Sequence, residues 1–487
     1  MMKTNSANHI PAGVSRRDFI LSGLAVSCVA GCRTADLFGR PELAFGVVSD
    51  IHVTSSGTEA RYEKALRLFK DRGADAVMVC GDLADWGTIG SLEHVRDAWR
   101  RVFGGTGTVP LLCTGNHDFE GWWYGDMTMD MHASGHSEDE AAVKAPGGVK
   151  AVWERVFGEK YAPMRLRTVK GYDFVSAEYS QSEDGKLRPD VAGFLKANAQ
   201  RLRGSGKPFF FFQHLPIQGT TGDSGRWADG GTTFPALKEF PNVIAFTGHT
   251  HRPFVDERQI WQGDFTVIGT PSLSYPGFPH GHENGESARN GSAVNAMPRI
   301  HARRDLEGTQ VFFVNVYTDR IVVERIDVEA DGAKAAPAWI IPLAGAKPFS
   351  FAETERRVPV PAFPAGAEVK CQTRNTENRQ GKWTIVMTCE FPSAVVPDGW
   401  RVFDYEIRAV PKDGSAPLVK KFLSPAYHKL PACEPARQRF WFDVAELPQD
   451  KDYVIEVRAL NCFGKASAPI TAPRVFHGKP GLSKARR

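Results

Sequence analysis

The sequence shows little imbalance of charge. Its 60 Lys and Arg face 56 Asp and Glu, which leaves a formal charge of +4. That balance argues against a nucleic-acid polymer or a membrane surface as the main partner, and no basic stripe of the kind a polymer needs is present. The basic end Lys484-Ala485-Arg486-Arg487 reads as a short frayed tail within residues 479–487. Long apolar runs are missing as well: after residue 32 none reaches the about 20 residues that span a bilayer. Cysteine is scarce, with 8 in 487 residues. Cys28 and Cys32 stand near the N-terminus, and Cys80 and Cys113 end two apolar runs and read as buried free thiols. Cys371, Cys389, Cys433 and Cys462 lie toward the C-terminus, where they allow three pairings among which sequence does not choose. Glycine and proline are plentiful (47 and 32), which predicts many turns and long loops. The hydrophobic share of 42% and the charged share of 24% are those of a folded soluble protein. The length leaves room for two or three domains.

The N-terminus reads as an address. Ser15-Arg16-Arg17-Asp18-Phe19-Ile20 precedes an apolar run from Leu21 to Gly31. A positive patch before a short apolar segment is the layout of a secretory leader, and paired arginines followed by Phe resemble the twin-arginine export signal. A short membrane anchor is the alternative; the run is brief and broken by Gly and Ser. Val29-Ala30-Gly31-Cys32 resembles a lipobox, with cleavage nearby without a lipid as its alternative. Residues 1–32 are therefore expected to be a twin-arginine-type export signal with a lipobox, and 33–42 a tether. The expected place is the periplasm or cell envelope, with a lipid on Cys32 as the membrane contact.

From residue 43 to 331 strand-like runs alternate with helical stretches, the pattern of an α/β domain. The runs are Leu43 through Ser49, Ala76-Val77-Met78-Val79-Cys80, Val109-Pro110-Leu111-Leu112-Cys113, Pro208 followed by four Phe, and Val243-Ile244-Ala245-Phe246. A helix is predicted over 59–72, and a hairpin turning at Thr318-Asp319 closes the domain. Residues 332–364, rich in Ala and Pro, read as a linker with some ordered apolar residues. Beyond it strands follow without helices, so 365–478 is predicted to be a small all-β sandwich. Tyr453, with Leu447 before it and Ala459-Leu460-Asn461 after it, is similar to the corner and closing strands of a fibronectin type III domain.

Each strand-like run of the α/β domain ends in metal-binding residue types. Asp50-Ile51-His52 follows the first, Gly81-Asp82 the second, and Gly115-Asn116-His117-Asp118 the third. His214 follows the Phe run, and Gly248-His249-Thr250-His251 the last. One such cluster means little. Sites in open α/β sheets form beyond the carboxyl ends of strands, so five clusters at five such ends converge on one place.

These blocks resemble those of the calcineurin-like metallophosphoesterase superfamily, over residues 43–331 and with no block missing. Phe157-Gly158 through Tyr161, and 187–202, look like connecting segments of its cyclic-nucleotide phosphodiesterase subgroup. The resemblance implies a four-layer α/β/β/α metallophosphoesterase sandwich. It also implies one metal held by Asp50, His52, Asp82 and His251, and a second held by Asp82, Asn116, His214 and His249. Mixed imidazole and carboxylate ligands suit two divalent or trivalent transition metals, Mn, Fe, Zn or Co. The implied reaction is hydrolysis of a phosphomonoester or phosphodiester by a hydroxide bridging the metals. His117 is expected to assist the leaving group. Asp118 is expected either to orient His117 or to cap a turn. Purple acid phosphatases carry a tyrosine ligand three positions after the bridging aspartate. Asp85 stands there, so that variant is excluded and Asp85 reads as a turn residue.

Three long loops are candidates for substrate contact. The first holds Trp122, Trp123, Tyr124, His132 and His136; the second, 219–233, holds Arg226; the third, 276–305, holds His280, His282 and His301. The extra histidines read as solvent-exposed loop residues. The expected substrate is a small phosphate ester, with a nuclease or cyclic-nucleotide phosphodiesterase as the runner-up. A different class is a surface-anchored binding protein that uses the β-sandwich and keeps the phosphoesterase domain as structure. The complete set of ligand types counts against it.

Overall fold

The computed structural model describes residues 39–477 apart from 55, 121–122, 124–128, 130, 180–188, 226, 286–308, 331, 378–382, 429–434 and 449. The export signal, Cys28, Cys32, Trp122, Tyr124, Arg226, His301, Cys433 and the basic tail all lie outside the described residues. No helix among the described residues is long and apolar enough to cross a membrane.

Two six-stranded sheets form the α/β part. β1 (Leu43–Val48), β2 (Ala76–Cys80) and β3 (Val109–Cys113) run parallel at one side of the first sheet. β4 (Met164–Val169), β5 (Tyr172–Ala177), β6 (Phe209–Gln213), β7 (Val243–Thr247), β8 (Ile260–Gln262) and β9 (Thr266–Gly269) make the second, in the order β4-β5-β6-β7-β9-β8. The chain then returns through β10 (Gln310–Val316), β11 (Arg320–Asp327) and β12 (Ala333–Pro342) to complete the first, ordered β12-β11-β10-β1-β2-β3.

Every residue of β1, β2, β6 and β7 is buried. Strands covered on both faces read as unbroken apolar runs, which is why these were visible in the sequence. Phe45, Val47 and Met78 of the first sheet share one core with Phe174, Phe210 and Phe246 of the second. The opposite face of the first sheet packs on α1 (Ser56–Asp71), α2 (Ile89–Phe103) and, beyond the short α3 (Asn116–Glu120), α4 (Gly148–Phe157), through Tyr62, Leu66, Val95 and Trp153. The opposite face of the second packs on α5 (Val191–Ala197), α6 (Ala199–Gly204) and α7 (Phe234–Leu237).

Residues 332–364, expected as a linker, are instead structured. β12 adds a sixth strand at the edge of the first sheet, and α8 (Phe351–Arg357) follows it. Alanine is a poor strand former and Pro337 donates no hydrogen bond, so the strand signal was weak; an edge position tolerates both. Trp339 and Ile341 of β12 are in the core. Arg325, 2% exposed, is held by Glu257 Oε1 at 2.6 Å and by the carbonyls of Phe254 and Pro337, and its guanidinium lies over the Trp339 ring. A buried charge needs such complete pairing.

Among its described residues the C-terminal part is mostly strands, with the short α9 (Pro425–His428) and a 3-10 turn at Val444–Glu446. β13 (Lys370–Glu377), β14 (Trp383–Pro392) and β17 (Arg437–Asp443) form one sheet. β15 (Asp404–Pro411), β16 (Leu418–Leu423), β18 (Asp452–Leu460), β19 (Ile470–Thr471) and β20 (Phe476–His477) form the other. Met387, Phe391 and Phe440 of the first pack on Tyr405, Ile407 and Val457 of the second. The Tyr453 hydroxyl donates to the Pro448 carbonyl at 3.0 Å where the chain enters β18. Cys371 and Cys389 sit opposite each other in register, with their sulfurs 3.8 Å apart as free thiols.

Candidate metal centre

The five clusters follow the carboxyl ends of β1, β2, β3, β6 and β7, so both sheets contribute to one place. Backbone bonds stitch the turns together: Asp50 N–H donates to the Gly81 carbonyl, His52 N–H to Asp82, and Gly248 N–H to His214. The crowding explains the glycines before the ligands. A Cβ on Gly81, where φ is +87°, would strike the His214 ring, and one on Gly115 would strike Asp82.

The local backbone is strained where the candidate ligands sit. Among the described residues, seven non-glycine positions have positive φ, and five of them are Asp50, His52, Asp82, His249 and His251. Left-handed conformations cost L-residues of order 1–3 kcal/mol each and persist where the surroundings impose them, commonly at functional sites.

The imidazoles are oriented by what lies behind them. His251 Nδ1 is 2.9 Å from the Tyr275 carbonyl, and His214 Nδ1 is 2.9 Å from the Cys80 carbonyl. A carbonyl only accepts, so each Nδ1 carries a proton and each Nε2 is the atom turned inward, with a lone pair whenever the ring is neutral. His52 Nδ1 lies 2.8 Å from the Asp85 carboxylate, with the same consequence. The inward atoms then face other acceptors. His52 Nε2 and His251 Nε2 are 3.2 Å apart, and His251 Nε2 is 2.9 Å from Asp50 Oδ1. His214 Nε2 is 2.9 Å from Asn116 Oδ1, 3.1 Å from His249 Nδ1 and 3.2 Å from Asp82 Oδ2. Asp82 Oδ2 also lies 3.7 Å from His52 Nε2, and it is the atom common to both groups. Converging lone pairs repel unless a cation lies among them. Ligands about 2.0–2.2 Å from one metal stand about 3 Å from each other, so these spacings fit a bound metal. The four atoms of Asp50, His52, Asp82 and His251 form one such group, and those of Asp82, His214 and His249 another.

Charge among these side chains follows from the same geometry. Burial opposes ionisation of Asp50, but His251 beside it and His214 together outweigh burial and hold the carboxyl down to about 2. Burial likewise opposes a charged His214, yet neighbouring Asp82 wins and holds the imidazolium up to about 9. Burial and the charge on His214 push His249 down to about 3, and burial and His117 push His52 down to about 4. A proton on His214 thus offsets part of the negative charge of Asp82 beside it.

His117 lies outside these two groups and forms a third with His52 and Asp85. Its Nδ1 donates to the Asp85 carbonyl at 2.8 Å, and its ring meets the His52 ring edge-on at 4.6 Å. Its backbone N–H donates to Asp82 Oδ1. Asp118 takes the turn-cap alternative: it accepts from the backbone N–H groups of Leu83, Ala84 and Gly115. Burial and the nearby Asp82 raise its carboxyl to about 7. Asp85, expected as a turn residue, holds both His52 and His117 in orientation instead. Its sequence position, three after Asp82, was noted only for the tyrosine it lacks.

The loop residues divide. His136 pairs with Glu140 at 2.7 Å and lies over Trp86, and His132 approaches Glu138. His280 is exposed, whereas His282, expected in solvent, is buried against Asp404. Trp227 was not singled out; it is 53% exposed with its ring 6.1 Å from that of His249.

Residues 43–253 match the family model for calcineurin-like phosphoesterases. The chain carries a calcineurin-like phosphoesterase domain. It is accordingly a metal-dependent phosphoesterase, and the family together with the buried Asp/His cluster points to a dinuclear centre. Among solved structures it is similar to a dimetal phosphatase from Danio rerio (12% identity, 62% of this chain and 100% of that one, TM-score 0.37). It is also similar to a purple acid phosphatase from yellow lupin (Lupinus luteus) seeds (12%, 64% and 57%, TM-score 0.39). A third is GAP50 of Plasmodium, titled the anchor in the inner membrane complex (14%, 63% and 90%, TM-score 0.35). No curated protein gives a sequence match.

A metal taking His214 as a ligand has to displace its proton. Calorimetry at pH 7 in buffers of differing ionisation enthalpy is expected to show about one proton released per chain. Apparent affinity is expected to rise about tenfold per pH unit below 9 and then to level off. Affinity independent of pH between 6 and 9 would contradict this charge assignment.

Proposed function

We propose that the protein hydrolyses small phosphate esters, mono- or diesters, at two metals that share Asp82. One metal is assigned to Asp50, His52, Asp82 and His251, the other to Asp82, Asn116, His214 and His249. The observation that carries the reading is the pair of inward-facing lone-pair groups meeting at Asp82 Oδ2. Bound there, two transition-metal cations would supply charge to the phosphoryl oxygens and a nucleophile at neutral pH. Around them the chain's residues orient and exclude. The Tyr275 and Cys80 carbonyls and the Asp85 carboxylate fix the tautomers of His251, His214 and His52, and so keep the ligand atoms pointing inward.

His117 is assigned the leaving oxygen. With Nδ1–H held by the Asp85 carbonyl, Nε2 is the atom that delivers a proton as the ester bond breaks. Asp118 acts one step back, tying the turns that carry Asp82 and Asn116 to each other.

The finer architecture follows the same reading. The three cores around the two sheets support a four-layer arrangement. Sheet orders β13-β14-β17 and β16-β15-β18-β19, with the corner bond of Tyr453, support a fibronectin type III-like sandwich. Arg16-Arg17 and the Val29-Ala30-Gly31-Cys32 run support export through a twin-arginine leader, with a lipid on Cys32.

Asp82→Asn and Asn116→Ala are expected to lose metal and hydrolysis together. His117→Ala is expected to keep both metals and turnover of p-nitrophenyl phosphate, and to lose about 10²–10⁴-fold on alkyl phosphates, whose leaving group needs the proton. Undiminished alkyl-ester turnover in His117→Ala would remove the acid from the mechanism. A labelled fatty acid is expected to mark the wild-type chain and not Cys32→Ser; equal labelling would refute the lipid anchor.

A further inference from the structure

We infer that the C-terminal β-sandwich is a working part of the metal centre: it braces the loop that aims His251, with Asn284 as the fastening residue. The inference rests on the assignment of His251 as a metal ligand.

The loop begins inside the centre. Ser272 Oγ donates to the Asp50 carbonyl at 3.0 Å and accepts from the Tyr275 N–H at 3.2 Å. The Tyr275 carbonyl receives His251 Nδ1–H, the Tyr275 ring lies 4.3 Å from the His251 ring, and the Gly277 N–H donates to the His251 carbonyl at 2.7 Å. Position 277 admits no side chain, because a Cβ there would strike the Thr250 carbonyl. The direction of His251 Nε2 is therefore set by where residues 275–277 are held.

A few residues further on, the same loop is bound to the sandwich. Asn284, 4% exposed, donates from Nδ2 to the Leu423 carbonyl and accepts the Leu423 N–H on Oδ1 at 2.8 Å, as a neighbouring strand would. The Glu283 N–H donates to the Lys421 carbonyl at 2.8 Å, and the His282 ring meets Asp404 at 2.9 Å. Phe278 of the loop shares its core with Phe403, Leu423 and Tyr427 of the sandwich. Two carboxamide bonds, one backbone bond, one imidazole–carboxylate contact and a shared apolar core make a rigid joint. Domains meant to move independently meet through smaller, wetter surfaces.

The second rim loop is tied to the same joint. Arg252 pairs with Asp223, the Gly222 N–H donates to the Arg258 carbonyl, and the Arg258 guanidinium lies over Phe403 of the sandwich at 4.7 Å. Displacing the sandwich would thus loosen the loops on two sides of the centre. The distance from Leu423 to the metal ligands is bridged by packed backbone and needs no moving element.

Asn284→Ala leaves the buried N–H and C=O of Leu423 without their partner. It is expected to weaken Mn(II) binding at one of the two metals by about tenfold, the usual size of a loss behind a ligand. Asn284→Asp keeps the acceptor for the Leu423 N–H and is expected to fall between Asn284→Ala and wild type. Tyr453→Phe serves as the control, since it loosens the sandwich at the Pro448 corner, away from the loop. It is expected to lower the melting temperature and leave Mn(II) affinity unchanged. The readouts are Mn(II) titration by electron paramagnetic resonance and thermal melting of the metal-free full chain. Unchanged Mn(II) affinity in both Asn284 variants would overturn the brace, as would equal weakening in Tyr453→Phe. A wild-type chain that binds no Mn(II) would instead overturn the metal-centre reading beneath it.

Discussion

The structure turns on a buried cluster of imidazole and carboxylate atoms that converge on one another and that a cation would hold together. His214 and His251 each donate Nδ1–H to a carbonyl behind them, and His52 Nδ1 lies 2.8 Å from the Asp85 carboxylate, so their Nε2 atoms face one another and the carboxylates of Asp50 and Asp82. Water would relieve such a cluster at a surface. Here Asp50, His52, Asp82 and His214 are 0–2% exposed, and relief has to come from bound charge. A proton on His214 is one source of such charge. Five left-handed ligand residues and glycines packed against Asp82 and His214 are the local cost of bringing the atoms together.

The two sheets exist at this spot to meet that cost. β1, β2 and β3 deliver the Asp50, Asp82 and Asn116 turns, and β6 and β7 deliver His214 and His249, across a core rich in phenylalanine. Neither sheet alone holds a complete set. The shared atom, Asp82 Oδ2, lies where the contributions of the two sheets overlap. Rigidity then extends outward: Asp118 ties the Asp82 turn to the Asn116 turn, Asp85 ties His52 to His117, and the sandwich holds the loop behind His251.

Much of this was legible in the sequence because it is local. A buried strand is a short apolar run, and a ligand cluster directly after it keeps its spacing whatever the tertiary fold. The parallel strands and the seven candidate ligands were read in that way. What was missed depends on contacts between distant residues. Asp85 and Asp118 are both acids near the same turns, and only the fold shows which of them reaches a histidine. β12 is poor in strand formers and becomes a strand because β11 offers its edge. His282 stands in a polar loop next to Gly281, and nothing nearby announces that Asp404 will bury it. The position of the sandwich against the centre rests on Asn284 and Leu423, 139 residues apart.

The central claim is that two cations sit on either side of one carboxylate. Anomalous X-ray diffraction from crystals of the Mn-loaded protein addresses it most directly. The account predicts two peaks flanking Asp82, one bordered by His52 and His251 and the other by His214 and His249. A single peak, or two peaks of which one lies away from Asp82, would contradict it.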